Sequence, residues 1–372
     1  MILDLLRPLF CGDASSGARA PFEPRSLASF EEVIAHWAAS SMLYSSLKRR
    51  GLDHGLGAEA LARLQRAHAA TTAQNLELLH EAKRVLRALK EAGLPAVPLK
   101  GIALFLHGVH RDFGARPTCD IDILTRRRDR NDVTRMLQDL GYRQSRRDIR
   151  PKHLPGFHRG ELLVEVHEWA YWSLRGGSPV GVDGMMDRAG GARLDQAVVH
   201  VVHHLFEGSV REPWLVVKTL WDMNEVRLHA ERHPQLLEDI GEVAERVGLT
   251  GRLGALWGAL ARILEHPCPA PWSATAAQVD EVLDACRPCS VESMHALALR
   301  YHLQSFFNYP SWMKARMLRA AFLPGRTQME SIYDLAPESP WVWPAYALRP
   351  VHLLWRAAEG AAQIARKRLK RS

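Results

Sequence analysis

Residues 119–125 read C-D-I-D-I-L-T, acidic and apolar side chains in alternation. A period of two is the mark of a half-buried β-strand. In a strand, residues i and i+2 point to one face, so Asp120 and Asp122 stand side by side while Ile121 turns to the buried face. Two carboxylates so close repel, and each raises the other's pKa unless a cation intervenes. Hard divalent cations with oxygen ligands answer that repulsion, and magnesium typically uses one or two protein carboxylates together with substrate phosphates. The pair therefore points to a nucleoside triphosphate site. Two ions there, Mg2+ or alternatively Mn2+, would activate an attacking oxygen and stabilise a leaving pyrophosphate.

Upstream, P-A-V-P-L-K-G (95–101) is a short apolar run ending in glycine, and I-A-L-F-L-H-G-V-H (102–110) has a helical period. The junction places Lys100 and Gly101 where a strand ends and a helix begins. Gly101 permits close backbone approach, and helix N-terminal amides suit a phosphate. Lys100 supplies a point charge for a phosphate oxygen. Arg116, in the loop D-F-G-A-R-P-T (112–118), offers a bidentate phosphate contact. Downstream, D-R-N-D-V-T-R-M-L-Q-D-L-G (129–141) reads as a helix, and H-L-P-G-F-H-R followed by E-L-L-V-E-V-H-E-W-A (161–170) as the strands of a hairpin. Glu165 lies between Val164 and Val166, so it faces away from them, with His167 as its same-face neighbour. If this strand lies beside 119–125, Glu165 becomes a third metal ligand and a general base for an acceptor hydroxyl.

The pattern of strand, helix, strand, helix and antiparallel strands predicts an α+β fold: a small mixed sheet with helices on one face. Around it the chain reads as helical. Residues 1–93 form an N-terminal helical region that includes S-L-A-S-F-E-E-V-I-A-H-W-A-A-S (26–40) and one long helix from Gly57 to Ala92, stopped by Gly93. Residues 94–190 form the core, and 191–372 a C-terminal helical domain with a basic tail. Within the last part, 267–290 reads as a break. S-P-W-V-W-P-A-Y-A-L-R-P (339–350) reads as a connector before a final helix, 351–371.

At 372 residues and 47% apolar, the chain is long enough for two domains. No run reaches the roughly 18 apolar residues that cross a bilayer, and M-I-L-D-L-L-R-P-L-F lacks the basic lead and cleavage site of a secretory signal; the expected compartment is the cytoplasm. A net charge of +8 favours anionic partners, although the basic runs at 126–130, 143–150 and 366–371 read first as solvated surface. The final helix carries Val351, Leu354, Trp355, Ala358, Ala361 and Ala365 on one stripe before R-K-R-L-K-R. Packing on its own domain is the first reading, and peripheral contact with an anionic membrane the second. The five cysteines do not form a disulfide framework. Cys286 and Cys289, with Cys268 and His266, leave a zinc site open beside the simpler reading of free thiols.

P-L-K-G-I-A-L, R-x-x-x-D-I-D-I-L (116–124) and V-E-V-H-E-W (164–169) together resemble an uncharacterised nucleotidyltransferase family of the DNA-polymerase-beta-like superfamily. V-V-H-V-V-H-H-L-F-E-G (198–208) is similar to that family's helix with histidines at i and i+4, here His200 and His204. L-V-V-K-T-L-W-D-M (215–223) is similar to its basic-then-acidic helix, here Lys218 and Asp222. The resemblance covers residues 95–230, and F-L-P-G-R-T-Q-M-E-S-I-Y-D-L more loosely. It implies Asp120, Asp122 and Glu165 as catalytic metal ligands, with Lys100, Gly101, Arg116, His204 and Lys218 around the nucleotide. Lys218 and Asp222 also read as a plain i,i+4 ion pair. The chain departs from the superfamily in having Lys-Gly where Gly-Ser is usual, a longer spacing to the acidic pair, and Gly208 where the family tends to carry a third histidine.

The expected activity is magnesium-dependent transfer of a nucleoside monophosphate to an acceptor, whether small molecule, peptide, protein or RNA end. A catalytically inactive adaptor of the same fold, binding nucleic acid or anionic surfaces, is the alternative. The intact acidic pair weighs against it, since without metal it would repel phosphate. Phosphoryl transfer with the same ions is a third possibility.

Overall fold

The computed structural model describes residues 6–7, 9–10, 39–51, 57–145, 153–172, 179–206, 212–265, 272–287, 311–324, 326–333, 335–336 and 338–369. Among the described residues, helices α1 (Ser40–Arg49) and α2 (Ala58–Glu91) lead into the sheet. The long helix ends as its sequence requires: Gly93 takes φ +70°, and Leu94 N–H returns to the Leu89 carbonyl (2.9 Å). The expected helix at 26–40 lies almost wholly outside the described residues.

β1 (Ala96–Pro98) leads into α3 (Lys100–Leu106), and β2 (Ile121–Thr125) into α4 (Arg130–Asp139). β3 (Arg143–Gln144), β4 (Phe157–Arg159) and β5 (Leu162–His167) complete a five-stranded sheet in the order β1-β2-β5-β4-β3. β4 and β5 form the expected hairpin; its two-residue turn holds Gly160 at φ +58°, the left-handed conformation that such a turn demands. β2 and β5 are parallel and every other pair is antiparallel, so the sheet is mixed.

Alternation along β2 and β5 gives the sheet two different faces. Ile121, Ile123, Val164 and Val166 enter one apolar cluster with Leu78, Ala82, Val85 and Leu89 of α2 and Val133 and Leu137 of α4. Asp122, Glu165 and His167 face the other way. At the β1 edge that second face is covered as well. Val97, Leu99 and Leu124 join a larger cluster with α6 (Leu194–His204) and α7 (Pro213–Ala230). α2 of the N-terminal region and α4 take one face, and helices from the C-terminal part close over the other.

Between sheet and C-terminal helices lie a two-stranded ribbon, β6 (Tyr171–Trp172) and β7 (Pro179–Val180), and a short α5 (Val182–Met185). α8 (Gln235–Val247) and α9 (Thr250–Leu264) follow α7, matching the expected run of helices. The 267–290 segment is not simply a break, because it contains α10 (Ala276–Ala285). Its start is a capping box: Gln278 N–H donates to Thr275 Oγ1 (3.3 Å) and Thr275 N–H to Gln278 Oε1 (2.9 Å). The T-x-x-Q spacing was available in the sequence, and the flanking prolines and cysteines masked it.

α11 (Ser311–Phe322), α12 (Arg326–Ile332) and α13 (Val342–Leu369) close the chain. The connector expected at 339–350 is helical from Val342. Pro344 falls in the first turn, where its missing N–H has no intrahelical partner to lose, and Pro350 removes one bond from an otherwise continuous helix. Among the described residues no helix is long and apolar enough to cross a membrane.

Cys289, Cys268 and His266 of the possible zinc site lie outside the described residues. Cys286 is fully buried, its thiol is pushed up to about 12 by burial, and its Sγ donates to the Val282 carbonyl (3.5 Å), the setting of a structural thiol. Of the basic run 126–130, Arg126 pairs with Asp183 (2.5 Å) and Arg127 stacks over Trp169 (5.5 Å), so part of that charge is already engaged within the chain.

Candidate active site

The register of β2 and β5 decides the site. Asp122 lies directly opposite Glu165, and Leu124 opposite His167. In a parallel pair, opposed residues share a face, so one surface presents Asp122, Glu165 and His167, with Asp120 at the mouth of β2. Asp122 is 2% exposed and Glu165 4%. Asp122, Glu165 and His167 each offer a ligand atom, and these atoms lie within 4.8 Å of one another, so the set is compact enough to grip one ion.

Lys100 Nζ donates to Asp122 Oδ1 (2.7 Å), and His167 Nε2 donates to the same oxygen (2.7 Å). The negative charge of Asp122, followed by burial, raises the pKa of Asp120 above the usual carboxylate range. For Lys100, burial opposes the ammonium, but the charges of Asp122 and Asp120 outweigh it and raise its pKa. Lys100 also sits at φ +48°, a left-handed conformation that lysine rarely adopts. Such strain persists only where surrounding contacts enforce it and tends to collect at working sites. Here the bond to Asp122 holds the side chain over the acidic pair.

Histidines spread outward from the acids. His153 stacks on His167 (4.7 Å between ring centres), and its Nδ1 lies 4.0 Å from Glu165 Oε2. His200 meets His167 edge-on at 6.3 Å, and His204 lies 6.3 Å further along α6. Burial, then the neighbouring His167 and Lys100, push His200 down to about 3, so it is neutral at physiological pH.

The structure gives Arg116 a different job from the expected phosphate contact. Its guanidinium is 3% exposed and forms a fork with Asp222, Nε to Oδ1 at 2.5 Å and Nη2 to Oδ2 at 2.9 Å, while Nη1 donates to Thr118 Oγ1 (2.9 Å). His110 Nε2 donates to the same Asp222 oxygen (2.8 Å). Burial alone would raise Asp222, but the Arg116 charge and the His110 and Arg116 bonds hold it well below the ordinary range. A guanidinium whose fork is filled by a buried carboxylate anchors the backbone. This one ties the approach to β2 onto α7.

Gly101 is explained by the same strut. A Cβ there would fall on the Arg116 guanidinium and 3.1 Å from Thr118 Oγ1. The glycine makes room for Arg116, a close approach its sequence context alone did not reveal.

Lys218 does not pair with Asp222 as an i,i+4 reading would have it, since Asp222 is taken by Arg116 and His110. Its Nζ lies over the Trp214 ring (5.0 Å). Burial, then the Arg116 charge, lower it to about 8, while Asp222 and Asp120 act in the opposite direction. The ammonium is thus held near Asp120 and partly poised to lose its proton.

Sequence reasoning missed three supports of this region. Asn75 Nδ2 donates to the Phe113 (2.6 Å) and Arg116 (2.7 Å) carbonyls. Asp112 accepts from Ser45 Oγ (2.5 Å) and from His68 Nε2 (2.8 Å). His110 completes the Asp222 cluster. Each joins residues tens of positions apart, and no local pattern marks them.

No curated protein and no solved structure matches the chain. A family model described as an uncharacterised nucleotidyltransferase matches residues 30–250, more than half of the chain, and spans α1, α2, the whole sheet and helices α6 to α8. The chain, with its mixed sheet and Asp122 opposite Glu165, belongs to that uncharacterised nucleotidyltransferase family.

Proposed function

We propose that the protein transfers a nucleoside monophosphate from a nucleoside triphosphate to an acceptor hydroxyl or phosphate, with release of pyrophosphate. The observation that carries this reading is the opposition of Asp122 and Glu165 on adjacent parallel strands, with Asp120 two residues before Asp122. Asp122 and Glu165 meet there with His167, and Lys100 donates to Asp122. The donor set fits a divalent cation: compact, rich in oxygen and negatively charged. Asp120, Asp122 and Glu165 would hold magnesium, in one or two sites, and the reach of His167 suits manganese as well. When bound, such ions neutralise phosphate charge and favour ionisation of an attacking oxygen.

The chain's own groups account for the rest. Lys100 holds a positive charge against Asp122, where a triphosphate oxygen can share it. Gly101 leaves room for the Arg116 guanidinium against the start of α3. Lys218, lowered to about 8, offers a second cationic contact beside Asp120. Arg116 acts through Asp222 and fixes the approach to β2. His204 and His200 line the route outward along α6. Glu165 is placed to accept a proton from the acceptor. On this reading residues 1–93 brace the site, 94–190 carry its chemistry, and 191–372 shape the acceptor side. The free thiols of Cys119 and Cys286 suit a reducing cytoplasm.

The test is incubation with the four nucleoside triphosphates and magnesium, read by mass spectrometry, beside the Asp120→Asn/Asp122→Asn double variant. We expect the mass of one nucleoside monophosphate to be added to an acceptor, and the variant to lose more than about 100-fold in rate, since removing ligands exceeds the loss from removing their supports. Equal behaviour of the two proteins, with no magnesium-dependent nucleotide binding, would favour the inactive adaptor.

A further inference from the structure

Among the described residues, helix α13 packs against α11 and α12. Val342 and Ala345 are buried against Met329 of α12. The opposite side carries Trp341, Trp343, Leu348, Val351, Leu354 and Trp355, each between 57% and 70% exposed, so these large apolar residues project almost fully into solvent. Trp341, Leu348 and Trp355 are spaced by seven, and Val351 and Leu354 fall between them, so they form one stripe over four turns. The one charged residue in Trp341–Trp355 is Arg349, which is half-buried and lies off this stripe. α11 packs against α13 and ends in Phe322 and Leu323, also exposed, which widens the apolar surface.

Scattered exposed apolar residues need no explanation, but a continuous face of this size marks a binding surface. Two features select the occupant. Three of the six residues are tryptophans, the side chain that settles at a membrane–water boundary because its ring is apolar and its N–H remains hydrated. Further along the sequence, after residues 356–365, comes R-K-R-L-K-R (366–371), five positive charges in six residues. A second copy of this chain would bring two such runs together in a protein already at +8, whereas an anionic surface is attracted to them.

We propose that α13 is an interfacial helix that seats the protein on an anionic lipid bilayer. The tryptophan and leucine stripe lies in the headgroup boundary, and the 366–371 run lies against the lipid phosphates. The first sequence reading, of a helix packed on its own domain, explains only the Val342–Ala345 side.

Co-sedimentation of the full chain with phosphatidylcholine vesicles, with and without about 30% phosphatidylglycerol, tests this. We expect at least about tenfold stronger binding to the anionic vesicles, weakened in 0.5 M salt. Trp341→Ser/Trp343→Ser/Trp355→Ser should lose about tenfold in binding with an unchanged melting profile, because the three side chains are exposed. No binding to anionic vesicles would overturn the proposal, as would binding equal in the triple variant. A dimer in sedimentation velocity that the triple variant loses, without vesicle binding, would assign the face to a contact between copies instead.

Discussion

Buried acids occur on both sides of the five-stranded sheet, and the protein treats them in opposite ways. On the α2 side, Glu81 is 2% exposed and its charge is fully answered. Tyr142 Oη donates to it at 2.5 Å, Arg84 Nη2 at 2.6 Å, and Arg159 Nη2 lies at 2.6 Å. One carboxylate meets two guanidinium groups and a phenol, and the result joins α2, the end of α4 and β4. On the other side, Lys100 and His167 both donate to Asp122, while the charge of Asp122 raises the pKa of Asp120. Glu81 and Asp122 are equally buried, but Glu81 is lowered by its partners whereas Asp120 is raised by Asp122. A carboxylate lowered by its partners holds the fold together, whereas a pair in which one carboxylate raises the other stores repulsion that an incoming cation relieves. That difference separates a structural carboxylate from a metal-binding one more sharply than burial does.

Three measurements press on this contrast. The largest effect should come from divalent cations. Saturating magnesium or manganese should raise the melting temperature, by about 2.7 kcal/mol of stabilisation at a concentration 100 times the dissociation constant. Asp120→Asn/Asp122→Asn should show no such rise. A metal-independent melting curve in the parent would break the comparison.

Glu81→Gln should act in the reverse sense. It should destabilise the chain by about 2 kcal/mol, less than a fully buried pair because Arg84 and Arg159 are about a third exposed. The magnesium response should stay intact. Denaturant midpoints with and without magnesium separate the two effects, and a lost metal response in this variant would merge the clusters that we distinguish.

The smallest effect is in pH. Burial opposes the Glu81 charge, but the Arg84 and Tyr142 hydrogen bonds and the guanidinium charges outweigh it and lower its pKa below 4.5. A carboxylate lowered on folding contributes stability that is present above its unfolded pKa and lost as pH falls through its folded one. The gap between parent and Glu81→Gln should therefore be widest above pH 4.5 and shrink below it. A gap constant across that range would mean that the carboxylate charge is not what stabilises the cluster.

The sequence by itself determined what depends on near neighbours. D-I-D-I-L fixed the strand and put both aspartates on one face, because side chains alternate at every residue of an extended chain. Gly93 marked the stop of α2, and local pattern placed α2 and α4 and gave the C-terminal part as helical. Only the tertiary structure decided which distant groups meet. It set Asp122 opposite Glu165, turned Arg116 from a presumed phosphate ligand into a partner of Asp222, surrounded Glu81 with Tyr142 and Arg159, and left the tryptophan face of α13 in solvent. The physical reason is range. Backbone geometry acts over two to four residues and is written into local patterns, whereas charge compensation and burial depend on contacts made across tens of residues, which exist only once the chain has folded.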